Sequence, residues 1–500
     1  MSILQKMLRR KPIEVSVRQA GTSDMKRALS AFDLTFLGIG CIIGTGIFVL
    51  TGRAAAVNAG PGIVISFVIA ALVSLFSAFS YAELSTIIPI AGSAYSYSVS
   101  GLGEIFGWIV GWDLMLEYLV GASTVASGWS AYLVAFFLDT FKVTIPKSIS
   151  ESPIVFKDDK FSIEKGAYIN IPAIFVAAVV TIILCLGIRE SAGVNTVVVF
   201  IKLIVIILFI FGAAKHVKVD RLKPFVPKSE GKDKYGVVGV IRAAQKVFFS
   251  YIGFDAVSTA AQEAKNPQRD LPIGIITSLL VCTTLYIATS VVLCGIVDFR
   301  TLNVGAPITF ALRGIPGTRW LQVLVGVGAL AGLTSVILVL LLSQPRLFMA
   351  MANDGLFPKS FARIHPKFKT PIYPTIVSGV AVMALSGLLP VDLLGDMTSV
   401  GTLFAFLFVN ISVIAIRHID PHRHREFKVP LGPYIFPVLG SAISITLIAI
   451  AGASTIIRLF AWMGIGLVLY FVFGIRNSKI QDYIDSVDQG NHKYEEENYV

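Results

Sequence analysis

Lys202 is the sole charge in the run "NTVVVFIKLIVIILFIFG", and 21 uncharged residues separate Glu117 from Asp139. Ionisable groups inside such runs are costly to keep and mark functional positions by default. A lysine and a glutamate so placed suit the uptake and release of protons. Snorkelling of Lys202 to a membrane surface is the structural alternative, since it stands only eight residues into its run. Glu117 would link Lys202 to Thr45, directly or through water; its structural alternative is to cap a helix break. Glu83 and Asp255 read as structural, in capping or in closing a gate.

A second chemistry is carried by "GIGCIIGTGIF", Gly38 to Phe48, with four glycines in eleven residues. Glycine inside a helix costs about 1 kcal/mol relative to alanine, so a helix here is poised to unwind around Gly44-Thr45-Gly46. The half-helix starting at a break offers free N–H groups and a positive dipole end, which suit a carboxylate. The half that stops there offers free C=O groups, which suit an ammonium. Those two charges one carbon apart define an α-amino acid. Close helix packing explains the glycines as well from this stretch alone, because Gly40 and Gly44 have small-xxx-small spacing.

These residues sit in a chain of 500 residues, 55% hydrophobic and only 15% charged, which is the balance of a polytopic membrane protein. Uncharged runs near 20 residues recur, enough to cross an apolar core of about 30 Å as helix. Helix also satisfies every backbone polar group internally. The expected spans, numbered 1 to 12, are 33–57, 62–87, 105–138, 170–188, 194–214, 239–262, 271–297, 320–348, 371–391, 394–416, 431–456 and 459–475. Residues 1–27 form a basic tail, expected to be cytoplasmic and not a cleavable signal. An even count returns the acidic tail 477–500 to the same side, and that tail reads as disordered. Lys and Arg favour this orientation by 22 inside to 17 outside, although the loop 215–234, with seven of them, falls outside. Everything from 28 to 476 reads as one membrane domain.

Span 6 is the weakest apolar segment. Arg242, Lys246, Asp255 and Glu263 fall in or beside it, and only "VFFSYIGF" (247–254) is continuously uncharged and apolar in character. It lies five spans after the glycine-interrupted span 1. Two weak helices at positions 1 and 6 are what a five-plus-five inverted repeat predicts, because an odd number of spans turns the second repeat over. The repeats then cover about 31–215 and 237–417, with spans 11 and 12 (about 431–475) outside them. "EAKNPQRDLP" (263–272) reads as a connector with Pro272 opening span 7.

Four stretches, "GIGCIIGTGIFVLTG" (38–52), "YAELSTIIPIAGSAYSY" (81–97), "FFSYIGFDAVSTAAQEAKNPQRDLPIGI" (248–275) and "QPRLFMAMANDGLFP" (344–358), resemble the amino acid–polyamine–organocation superfamily. The resemblance is strongest to its cationic amino acid transporter branch, bacterial members included. It implies an all-α polytopic membrane protein of the LeuT-type fold, with broken helices at spans 1 and 6. It implies further that Ile42, Thr45 and Gly46 offer N–H groups to the substrate carboxylate, with Ile43 and Gly44 at the same break. Phe249, Ser250 and Ile252 would offer carbonyls to the amino group, Phe249 also acting as an aromatic gate. In sodium-coupled relatives a Na⁺ lies between spans 1, 5 and 8; in proton-coupled ones a lysine resembling Lys202 takes that place. The substrate side chain would point towards spans 3, 6 and 8, where "VILVLLLSQPR" (336–346) is bulky and apolar. Val339 and Leu340 are therefore expected to line the pocket and to favour small neutral amino acids over arginine.

The implied function is secondary active transport of amino acids across the cell membrane, by proton symport, with cationic substrates or exchange as alternatives. A channel is the other class, and saturable counterflow in liposomes separates the two. The net charge of +11 lies in short loops suited to anionic headgroups and does not point to nucleic acid. All six histidines lie in loops or the tail, no Walker A sequence is present, and the four cysteines show no metal or disulfide spacing. No enzyme, cofactor or metal is expected; the partners are substrate, protons and the bilayer, with a small membrane-protein partner left open.

Overall fold

The computed structural model describes residues 2–21, 27–90, 92–157, 160–186, 192–231, 233–366, 368 and 370–488. The expectations for 22–26, for 187–188 at the end of span 4 and for 489–500 lie outside the described residues. Helices coincide with every expected span. Among the described residues nine are long and apolar enough to cross a membrane, the first of them, Ala31–Ile87, taking in spans 1 and 2. Ile171–Cys185 and Ile372–Leu388 are shorter apolar helices. At 1.5 Å per residue they reach about 22–26 Å. The protein is an all-α polytopic membrane protein. Its small β-element is a hairpin, Ile154–Lys157 with Lys160–Ile163, in the insertion after span 3.

Local chemistry sets the helix starts. Ser30 Oγ accepts the N–H of Asp33, and the Asp33 carboxylate accepts that of Ser30, a capping box that opens span 1 at Ala31. Span 7 begins at Pro267, five residues before the expected Pro272, which lies inside the helix. Proline fits the first turn because no intrahelical acceptor awaits its missing N–H. Span 3 (Glu104–Phe141) and span 8 (Arg319–Asn353) are the longest single helices and run antiparallel, Gly111 facing Met351 and Gly121 facing Leu340.

The termini share one face. The Glu104 carboxylate, at the start of span 3, accepts Arg9 Nε at 2.5 Å, Tyr470 Oη at 2.9 Å and Ser478 Oγ at 2.7 Å. Asp354, just past span 8, accepts Lys11 Nζ at 2.6 Å and Tyr95 Oη at 2.8 Å. One expectation is corrected here. Residues 480–488 are not disordered but form a helix with Ile480 and Tyr483 buried. In the basic N-terminal tail Arg9 and Lys11 are buried on these acids.

On the same face Glu83, 1% exposed, ends span 2 and accepts both nitrogens of Arg417 at 2.6 and 2.7 Å and the Val429 N–H at 2.7 Å. Arg425 Nε lies 3.3 Å away. This bears out the structural reading of Glu83. Breaking a buried ion pair by removing one partner typically costs about 3–5 kcal/mol. Glu83→Gln is therefore expected to lower the apparent unfolding midpoint in detergent clearly, by stranding two guanidinium groups. An unchanged midpoint would contradict it.

Candidate substrate site

Span 1 is interrupted where the glycines indicate. Its first half, Ala31–Ile42, ends as Ile43 turns extended (φ −76°, ψ 95°), and helical structure resumes as a π-type turn at Gly46–Leu50. Span 6 runs as α-helix from Gly236 to Val247, tightens to 3-10 over Phe248–Tyr251, and is extended at Ile252. Gly253, with φ +114°, then starts the half-helix Phe254–Thr259. That positive φ suits glycine, which has no Cβ to clash.

The two breaks touch. A Cβ on Gly46 would lie 2.4 Å from Ser250 Cα, and one on Gly253 would lie 2.5 Å from Cys41 Sγ. Close packing and unwinding are therefore both true of the glycine-rich stretch, with Gly38 packed against Ser278 of span 7. The N–H groups of Gly44 and Thr45, which lie between the two helical pieces, have no backbone acceptor among the described residues. They remain available to an anion. Ile42 is different: as the last residue of its helix it turns a carbonyl, not a free N–H, towards the break. Its expected role towards a carboxylate is corrected accordingly.

Lys202 does not snorkel. Fully buried, it donates to Gly40 O at 2.5 Å, Ile43 O at 3.1 Å and Ser335 Oγ of span 8 at 3.4 Å. It thus caps carbonyls left open at the end of the first half-helix and stands between spans 1, 5 and 8. Glu117 is elsewhere. Neither of its carboxylate oxygens nor Thr45 Oγ1 has a hydrogen-bond partner among the described residues, so the expected direct bridge to Lys202 and Thr45 is not made. Glu117 instead neighbours Asp113 and Asp255. Asp255 accepts Tyr118 Oη at 2.7 Å and the Gly253 N–H at 3.2 Å, capping the second half of span 6.

In span 6, Phe249 O accepts the Ile252 N–H at 3.2 Å and Ser250 O accepts Tyr286 Oη at 2.7 Å. The ring of Phe248 packs edge-on to Phe406, whereas Phe249 is 6% exposed and has no ring partner among the described residues. From span 8 it is Val336 that borders the break, its Cγ2 3.1 Å from where a Gly44 Cβ would be. Leu340, one turn on, faces Gly121 of span 3 together with Thr398. Val339 is buried on the same flank.

Asp113, Tyr286 and Val336 were missed in the sequence. Asp113 had a signal, four residues before Glu117 on one helix face. Tyr286 and Val336 had none, being ordinary members of apolar spans. A cavity of about 1030 Å³ is lined by Leu50, Arg53, Ser127, Lys246 and Asp396 among others. At it Arg53 pairs with Asp392 at 3.1 Å and Arg242 approaches Asp396 at 3.8 Å. Two contacts hold the segment that follows span 6, one of them to the segment that precedes span 1. Leu29 pairs with Ala264 in a parallel bridge, and Arg346 holds Glu263 at 2.6 Å.

Two membrane helices interrupted side by side are the arrangement of a secondary transporter, not of an enzyme. The chain belongs to the amino acid permease family, whose model matches residues 29–473, within the superfamily that the four motifs resemble. It is 42% identical over 475 residues to a methylthioribose transporter of Bacillus subtilis (strain 168), covering 95% of this chain and 99% of that protein. A branched-chain amino acid permease of the same organism is 43% identical over 464 residues, covering 92% and 96%. Cationic amino acid transporter 4, vacuolar, of Arabidopsis thaliana is 37% identical over 423 residues, covering 84% and 68%.

Proposed function

We propose that the protein is a proton-coupled symporter of neutral L-amino acids in the cell membrane, working by alternating access with both termini in the cytoplasm. The two five-span repeats and the pair of spans after them supply the frame. The observation that carries this reading is the site itself. Open N–H groups at Gly44 and Thr45 lie at a break that touches broken span 6 through Gly46 and Ser250, and the nearby cation Lys202 is already engaged with span 1. A zwitterion matches that polarity at both ends. Lys202 carries the proton, and its release frees the carbonyls of Gly40 and Ile43. The test is radiolabelled uptake into proteoliposomes with and without an imposed proton gradient; uptake indifferent to the gradient would refute symport.

Val336, Val339 and Leu340 make the span-8 wall apolar, which favours small or branched neutral side chains and agrees with the branched-chain relative. An arginine head against that wall leaves several N–H donors unpaired, at about 1–3 kcal/mol. Leu340→Ser or Leu340→Gly is expected to admit larger or cationic substrates. One observation favours a second reading, a cationic side chain: the four carboxylate oxygens of Asp113 and Glu117 have no partner among the described residues. Competition against labelled alanine by leucine, arginine and methylthioribose decides. Arginine competing as well as alanine would move the assignment to the cationic class, and methylthioribose alone competing would overturn the zwitterion.

A further inference from the structure

Tyr286, in the middle of span 7 (Pro267–Ile296), takes no part in the scheme above, yet its hydroxyl touches both breaks. Tyr286 Oη lies 2.7 Å from Ile42 O and 2.7 Å from Ser250 O. The first carbonyl ends the first half-helix of span 1. The second belongs to the tightened turn of span 6. Both carbonyls stand at the end of a helical piece, where the ladder runs out.

A phenol has a single proton to donate. Two carbonyls from separate helices therefore converge on one donor. The ring that delivers it is fully buried and fixed, tilted against Phe67 at 5.3 Å between centroids and edge-on to Tyr251 at 5.4 Å. Lys202 approaches the same half-helix end through other carbonyls, those of Gly40 and Ile43. Span 1 is thus held by two independent donors, one charged and one neutral, and only the neutral one also reaches span 6.

We infer that Tyr286 is a positioning residue for the substrate's amino group: its shared proton holds the carbonyls of Ile42 and Ser250 facing one point, where an ammonium takes over one of them. The inference rests on the amino acid reading of the site. On binding, the ammonium donates to Ser250 O and the phenol proton goes wholly to Ile42 O. Nothing is transferred and no bond beyond hydrogen bonds changes. The hydroxyl meets only backbone at the end common to all α-amino acids, so its contribution is the same for every side chain.

Tyr286→Phe keeps the ring and removes the proton. With initial rates in proteoliposomes, KM for alanine and KM for leucine should rise by the same factor, roughly two- to tenfold, as loss of a neutral hydrogen bond implies. Turnover and the unfolding midpoint should stay close to those of the unmodified protein. An unchanged KM overturns the inference, as does a fall in kcat alone or a factor that differs between alanine and leucine, which are what loosened packing produces. Should the phenylalanine variant unfold more readily, 3-fluorotyrosine at position 286 restores the hydroxyl. A KM that then stays high also overturns it. Failure of the unmodified protein to take up either amino acid would instead overturn the amino acid reading, and this inference with it.

Discussion

Lys202→Met protein reconstituted in liposomes is expected to bind alanine measurably but to show no accumulation driven by a proton gradient. Methionine matches the lysine stem in length and carries no proton, so the carbonyls of Gly40 and Ile43 lose their charged donor in every state of the cycle. A hydrogen bond to a charged group is worth about 1.5–3 kcal/mol, and here two are lost at the end of one half-helix. With nothing to protonate, the closed and open arrangements of span 1 no longer differ with pH. Sodium independence of the unmodified protein follows from the same geometry, because an ammonium among spans 1, 5 and 8 occupies the place of a cation. Normal gradient-driven uptake by Lys202→Met would sink the scheme, and so would a sodium requirement.

Gly46→Ala should abolish transport. The added Cβ would meet the Cα of Ser250 at 2.4 Å, and backbone has no rotamer by which to retreat. The two breaks must separate, which pulls the N–H groups of span 1 away from the carbonyls of span 6. Overpacking of this kind costs about 1–3 kcal/mol, or roughly ten- to hundredfold in affinity, before any loss of turnover. Gly44→Ala is the control. Its Cβ would meet Val336 Cγ2 at 3.1 Å, a side-chain methyl that can yield, so the effect should be distinctly smaller. A Gly44 variant more damaging than the Gly46 variant would show that the breaks do not meet where described.

Much of this could be read in the chain. Span 1 breaks at its glycines because glycine gives up least by leaving the helix, and span 6 breaks in the short stretch between charges. Lys202 stood out as a lone charge. The misreadings have physical causes. Ile42 presents a carbonyl because the first half-helix runs up to it and ends before the Gly44-Thr45-Gly46 break. Val336 at the break went unread because helical phase within a uniformly apolar run has no polar marker. Glu117 neighbours Asp113, one turn earlier on its own span, and Asp255 of span 6, the latter a long-range neighbour that no local pattern indicates. Arg9 and Lys11 find acids 95 and 343 residues away, and no local pattern announces such a pairing.

The Glu104 cluster has a consequence in time. Its carboxylate is served by Arg9, made before the first span, and by Tyr470 and Ser478, made after the start of the last. During synthesis Arg9 is free to act as a topological signal on the side where the chain is being made. Glu104 can engage it only once span 3 has begun to emerge, and the remaining donors arrive some 370 residues later. A nascent chain that stops before Tyr470 leaves this buried acid with part of its hydrogen-bonding shell missing, so the cluster ties some of the first residues made to the arrival of much later ones.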